Sequence, residues 1–195
     1  MKENINTAII AAPSVLYSER LELKPVVSEL REYVFNTLCD PEVRHTMKMP
    51  VLNEQGRQER WWKKFQEWRK EGKAVQWCAF SKEDGQYVGL FTIKEIDPKN
   101  SRGELGYSIV KNLWGKGYGS EGSREVLKFG FEQVDFHSIF AMILPYNEPS
   151  QRIVKRLGFE QEAHFKQIHY YEDAYYDVLQ FSIMNPSHNW QAMGL

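Results

Sequence analysis

Cysteine is nearly absent from this 195-residue chain: Cys39 and Cys78 are its only two, and they stand far apart. Two isolated thiols supply neither a disulfide framework nor a cysteine-based metal site, and they fit a reducing, cytoplasmic setting. An excess of either charge is also missing. Lysine and arginine number 25 against 26 acidic residues, a formal net charge of −1. A dedicated nucleic-acid binder carries a broad basic field, so no nucleic-acid partner is expected. Long apolar runs are lacking too; near the N-terminus the longest is residues 8–12. That run is far shorter than the roughly 20 residues that cross a bilayer. It is also too short for a signal-peptide core, and Glu3 spoils the basic flank, so no membrane partner is expected. His45, His137, His164 and His188 show no ligand spacing with a cysteine or carboxylate, and no metal is expected.

What the chain does contain is core-forming material. Hydrophobic residues make up 42% and aromatic residues 14%, which argues against disorder and for one domain with a sizeable core. Alternation over residues 21–24 predicts a strand, and Ser28 is placed to cap a helix reaching about Leu38 and ending at Cys39-Asp40-Pro41. Residues 54–70 predict a helix with Trp61, Phe65 and Trp68 on one face beside Trp62, a spacing that reads as core and not as a pocket. Residues 74–81 and 87–95 predict strands joined by an Asp84-Gly85 hairpin signal, and residues 104–110 a third. A helix follows from Ser120. Its buried stripe is Val126, Leu127, Gly130, Phe131 and Val134, and Gly119, Gly122 and Ser123 extend it as small residues that pack closely on the sheet. Residues 138–144 predict a strand. Pro149 then fits the first turn of a helix that buries Ile153, Val154 and Leu157 and stops at Gly158. Residues 159–170 and 175–183 complete the layout as strands.

The most informative segment is Trp114-Gly115-Lys116-Gly117-Tyr118-Gly119, between the third strand and the helix behind it. Glycines at a strand-to-helix junction let backbone N–H groups approach an anion, the helix N-terminus favours negative charge, and Lys116 adds a cation. A nucleoside-triphosphate loop requires Ser or Thr after Gly-Lys, but Gly117 follows Lys116. A dinucleotide fingerprint is spelled by Gly117, Gly119 and Gly122. Yet the preceding strand alternates, Lys111-Asn112 intervene, and the next strand ends in Leu144-Pro145, not in an acidic residue. Coenzyme A remains.

Four motifs carry a family resemblance: Glu104-Leu105-Gly106-Tyr107, the glycine loop, Asn147 with Ser150, and Lys155-Arg156-Leu157-Gly158-Phe159. In this order and spacing the chain resembles the GCN5-related N-acetyltransferases. More narrowly it is similar to the branch containing the ribosomal-protein N-terminal acetyltransferases, which residues 18–24 and 173–177 also match. The resemblance implies an α+β fold: one domain over residues 18–184, with an extension over 1–17 and a tail over 185–195. Its central twisted sheet of about seven strands would be mixed, mainly antiparallel, with helices on both faces.

The same resemblance implies acetyl-CoA as acyl donor and a primary amine as acceptor, either a protein N-terminus or a small molecule such as a polyamine or aminoglycoside. Backbone N–H groups of Lys116, Gly117, Tyr118, Gly119 and Ser120 would hold the diphosphate. Ile109 and Val110 would pair with the pantetheine arm, and an N–H near Val110 would face the oxyanion. The Asn147 amide suits the arm's peptide-like groups. Arg152 and Lys155 would reach coenzyme phosphates, whereas Lys111, Arg124 and Arg156 read as solvated. Trp114 would cover the loop.

Many relatives carry a thiolate-protonating tyrosine where this chain has Val154, so that role does not carry over. Ser150 is the branch's substitute; it reads equally as a helix-start serine bonded to backbone. Glu104 resembles the acidic residue that takes the amine's proton. His169 stands where a carboxylate can face the acceptor, and an imidazole can accept a proton too, although a histidine beside Tyr170 and Tyr171 also reads as structural. Acceptor selectivity is assigned to the first two helices, residues 46–50 and residues 171–174. The alternative is a non-catalytic acyl-CoA-binding module. It would keep Gly117, Gly119 and Asn147, and the missing tyrosine at Val154 favours it. A monomer or homodimer is expected.

Overall fold

Glycine, proline and Asp40 punctuate the chain where the sequence places them, and between them strands gather into one sheet. A computed structural model describes residues 5–49, 52 and 55–188. Its eight strands are β1 (Leu16–Tyr17), β2 (Leu21–Pro25), β3 (Val75–Ser81), β4 (Tyr87–Asp97), β5 (Arg102–Ile109), β6 (Ser138–Ile143), β7 (Glu160–Tyr171) and β8 (Ala174–Met184). Their spatial order is β1-β2-β3-β4-β5-β6-β8-β7. Every pairing is antiparallel except β5 with β6. The strand beyond the expected seven is β1, whose two residues are too short to show alternation.

The helices are α1 (Thr7–Ala11), α2 (Arg31–Cys39), α3 (Pro41–Met47), α4 (Gln55–Lys70), α5 (Tyr118–Lys128) and α6 (Glu148–Arg156). Ser28 opens a 3-10 turn ahead of α2 and makes no side-chain cap bond. The break expected at Asp40-Pro41 is a corner, not a stop. The Asp40 carboxylate accepts from the N–H groups of Glu42 and Val43, and Pro41 fits the first turn of α3. The expected start of α4 at Glu54 lies outside the described residues.

Both faces of the sheet are covered, as adjacent residues of β3 show. Trp77 faces one cluster with Phe91, Ile93, Val126 and Phe129, whereas Cys78 faces a second with Val34, Phe35, Trp62 and Phe65. Thus α1, α5 and α6 lie over one face and α2 and α4 over the other. The aromatic stripe of α4 is core, as its spacing predicts: Trp62 and Phe65 are buried, and Trp61 and Trp68 pack against the same cluster. Residues 5–17 share in the main core through Ile5, Ile10 and Leu16. After β8, Asn185 is buried and its amide donates to the Phe136 carbonyl at 2.9 Å; of the tail, residues 189–195 lie outside the described residues.

Among the described residues no helix is long and apolar enough to cross a membrane. No cluster of three or more His, Cys, Asp or Glu there is arranged to hold a metal ion.

Candidate active site

The sheet opens along the one parallel pairing. β5 and β6 are in register only at Arg102–Ser138, Gly103–Ile139 and Glu104–Phe140. Beyond that point β5 stays on β4 as far as Ile109, while β6 stays on β8 as far as Ile143. The two strands therefore part just after Glu104. Val110 donates its N–H to the Val88 carbonyl at 3.0 Å. Because strand N–H and C=O groups alternate sides, those of Tyr107 and Ile109 point away from β4 into the gap. This corrects the expectation for Val110, whose N–H is already bonded within the sheet. On Ile109 the carbonyl is also taken, by the Trp114 indole N–H at 2.7 Å. That bond folds the Trp114 ring back onto the end of β5, where it lines the cleft.

Two cavities meet in this gap. One is a cleft bounded by Ile109, Trp114, Gly117, Gly119, Asn147 and Arg156. The other is a wedge between the parted strands, reached by Glu104, Leu105, Ala141, Ile143 and His169. Thr46, Tyr107, Asn147 and Ser150 line both.

The glycine loop forms the floor of the cleft. Gly115 and Gly117 have φ values of +77° and +86°, a region L-residues adopt at a cost. Gly117 is the N-cap, so the helix begins at Tyr118 and not at Ser120. This shift puts Tyr118, Gly119 and Ser120 in the first turn, where N–H groups have no intrahelical acceptor; Glu121 makes the first such bond, to Gly117. Small residues bring the helix down onto the strands. A Cβ on Gly119 would lie 3.1 Å from Ile153 and 3.3 Å from Tyr107.

Behind the loop lies a polar brace that the sequence motifs did not reveal. The Glu121 carboxylate accepts from Ser18 Oγ at 2.7 Å, from the Arg20 N–H at 2.8 Å and from Arg20 Nε at 2.7 Å. The Arg20 guanidinium lies 4.5 Å from the Tyr118 ring centroid and donates to the Lys116 carbonyl at 3.2 Å. Burial pushes the Glu121 pKa up, but the Ser18 and Arg20 hydrogen bonds outweigh it and hold the group below its ordinary value. A group with a depressed folded-state pKa adds stability at neutral pH that is lost as pH falls through that pKa. Glu121→Ala is therefore expected to cost about 1–3 kcal/mol at neutral pH, and less in acid. Denaturant unfolding of both proteins at the two pH values checks this.

Lys116 does not line the cleft; its side chain is exposed, and its charge acts on Asp84. Arg152 lines the cleft and pairs with Glu148 at 3.2 Å. Lys155 lies on another face of α6, with Nζ 5.6 Å from the Phe181 ring centroid. Arg156, expected to be solvated, lines the cleft in its stead because it follows Arg152 by one helical turn. Asn147 caps α6: its Oδ1 accepts from the Ser150 N–H at 3.2 Å, and its Nδ2 donates to the Thr46 carbonyl at 3.2 Å. The Ser150 cap bond uses the backbone N–H, so its hydroxyl is not the capping group.

Glu104 sits at the apex of the wedge. It is buried, its Oε1 lies 3.0 Å from Lys94 Nζ, and the two residues are direct cross-strand partners. Burial raises its pKa above the ordinary carboxylate value, and Lys94 partly opposes the rise. His169 reaches the wedge from β7, and its Nε2 donates to the Lys48 carbonyl at 3.1 Å. That bond leaves Nδ1 as the lone-pair nitrogen of the neutral ring. Thr46, Met47 and Met49 wall the same cavity, while the Lys48 ammonium lies 5.1 to 5.6 Å from the ring centroids of Tyr146, Tyr171 and Tyr176. Pro50, also assigned to selectivity, lies outside the described residues.

Comparison with known proteins agrees with this geometry. A family model described as an acetyltransferase (GNAT) domain matches residues 20–160. An uncharacterised N-acetyltransferase, p20, from Bacillus licheniformis is 28% identical over 169 residues, 87% of this chain and 95% of its own. A spermidine N-acetyltransferase from Vibrio cholerae, solved with CoA and spermine, superposes with a TM-score of 0.77 at 15% identity, covering 85% of this chain and 96% of its own. A ribosomal L7/L12 alpha-N-protein acetyltransferase solved with coenzyme A gives 0.77 at 16% identity, covering 88% and 98%. With its parted parallel strands and its glycine loop opening α5, this chain belongs to the GNAT family of N-acetyltransferases.

Proposed function

We propose that the protein transfers acetyl from acetyl-CoA to a primary amine by direct attack on the thioester. The observation that carries this reading is the junction of two cavities at the parted strands, one floored by open amides and the other ending at a desolvated carboxylate. Tyr118, Gly119 and Ser120 offer N–H donors to the diphosphate, with Arg152 and Arg156 beside them. Tyr107 and Ile109 offer the strand edge to the pantetheine arm, and the Ile109 N–H, in place of that of Val110, faces the carbonyl oxygen on which charge develops. Glu104 accepts the proton that the amine loses, directly or through one water. The Nδ1 of His169 is the second acceptor, nearer the mouth of the wedge.

Two acceptor classes are supported by similarity: spermidine, named for one structural neighbour, and a ribosomal-protein N-terminus, named for the other. Thr46, Met47 and Met49, which wall the wedge, are the selectivity elements, together with the β7–β8 turn at residues 171–174, whose Tyr171 ring lies 5.5 Å from Lys48 Nζ. The competing reading, a module that binds acyl-CoA without turning it over, is favoured by the absence of a phenol at Val154. Calorimetric titration with acetyl-CoA, followed by a thiol-release assay on the same sample with N-terminal peptides, polyamines and aminoglycosides, separates the two. Binding with release supports the enzyme. Binding without release from any acceptor supports the module.

A further inference from the structure

Of the four residues shared by the two cavities, one carries a titratable side chain, and nothing in the proton path so far uses it. Tyr107 projects from β5 to the point where a thioester held in the cleft meets an amine held in the wedge. Its hydroxyl is buried and makes no well-formed hydrogen bond among the described residues, although the Ser150 hydroxyl is near enough to act on it. A buried hydroxyl without full hydrogen bonding is unfavourable, so a group left in this state at a cavity junction points to a ligand atom that completes it. The ring is held on both sides. It stacks on Phe91, with centroids 6.1 Å apart and planes 28° apart, and Gly119 packs so near its edge that a Cβ there would stand 3.3 Å from Cε2.

We propose that Tyr107 is the acid that protonates the departing thiolate, supplied from β5 where α6 carries the alkyl chain of Val154 in place of a phenol. The proposal rests on the acetyl-transfer reading above. In the step, the amine nitrogen bonds to the carbonyl carbon and the C–S bond breaks. The sulfur leaves with the electron pair and takes the phenolic proton. The proton lost by the amine passes to Glu104, and Tyr107 is reprotonated from solvent through the Ser150 hydroxyl, which lines the same junction. Burial pushes the phenol pKa up to about 12, while the Ser150 hydroxyl pulls it down, so the proton is present to donate at neutral pH. The same burial makes a lasting phenolate unfavourable and favours rapid recovery of the proton. Val154 lines the wedge and contributes no proton.

Tyr107→Phe keeps the ring and its packing. It is expected to lower kcat about 10²-fold with the KM for acetyl-CoA within about twofold of wild type, and to abolish the alkaline limb of the kcat–pH profile. Fluorotyrosine at position 107, which acidifies the phenol without removing it, is expected to shift that limb to lower pH. Ser150→Ala is expected to give a smaller fall in kcat than Tyr107→Phe. The proposal is overturned if Tyr107→Phe keeps wild-type kcat and its alkaline limb, or if only the KM for acetyl-CoA and the thermal midpoint change. If Tyr107→Phe does not fold, the fluorotyrosine protein decides: an unmoved limb overturns the proposal. Failure of wild-type protein to release CoA with any amine would sink the acetyl-transfer reading itself, a result distinct from an active but Tyr107-independent enzyme.

Discussion

Glu104→Gln is expected to lower kcat/KM for the amine by about 10²–10³-fold while leaving acetyl-CoA binding unchanged. The substitution removes the proposed proton acceptor at the apex of the wedge and nothing on the cleft floor, so donor and acceptor chemistry should separate cleanly. Burial sets the pH dependence. A carboxylate with a raised pKa becomes an effective base only above that pKa, so the acid limb of kcat/KM should lie at higher pH than the roughly 4.3 of an ordinary glutamate. Stability should move the opposite way to activity. Because the folded-state pKa exceeds the unfolded one, the contribution of Glu104 is fully present below the unfolded value and is lost as pH rises through the folded value. Glutamine carries no charge to bury, and Lys94, with 41% of its side chain exposed, retains access to water. The variant should therefore melt no lower than wild type at neutral pH. Loss of activity together with a large loss of stability would assign Glu104 to the sheet and not to the chemistry.

Gly122→Ala is expected to be a strongly damaging single-methyl change near the site. A Cβ there would stand 2.2 Å from Cζ of Phe91 and under 3 Å from both Cε atoms. Phe91 is fully buried in the main core and stacked on Tyr107, so it has nowhere to retreat. Overpacking of this kind costs about 1–3 kcal/mol, and at this chain length each kcal/mol lowers the melting temperature by roughly 2–4 °C. Displacement of α5 would also carry the amides of Tyr118, Gly119 and Ser120 away from the cleft, so acetyl-CoA affinity should fall with stability. Thermal unfolding and calorimetry on the same variant check both effects. A melting temperature within about a degree of wild type would mean that the helix is not seated on Phe91.

The close seating of α5 is also where sequence and structure agree best. Gly119, Gly122 and Ser123 are small at consecutive inward positions, which is a local pattern with one steric meaning. The helix stops, the Asp84-Gly85 turn and the buried aromatic stripe of α4 were legible for the same reason: each is fixed by residues close in sequence. Several features of the candidate site were not. Whether Val110 or Ile109 faces the gap depends on which edge of β5 meets β4, a matter of register that alternation alone leaves open. Lys155 and Arg156 are neighbours, and choosing between them requires the rotation of α6 about its axis. The Arg20–Glu121 brace joins residues about a hundred positions apart, although both belong to segments already singled out. Tyr107 was visible within the Glu104–Tyr107 motif. Its significance comes from a hydroxyl buried where two cavities join, which a sequence does not display.

The central claim is acetyl transfer at the parting of β5 and β6, and it meets its most direct test in a single time course. Wild-type protein is incubated with acetyl-CoA and a panel of primary amines, and free thiol and acetylated amine are followed together. The account predicts that at least one amine yields thiol and acetamide in equal amounts, and that Glu104→Gln suppresses both. Acetyl-CoA that binds yet stays intact with every amine would contradict it, as would thiol released by hydrolysis with no acetylated product.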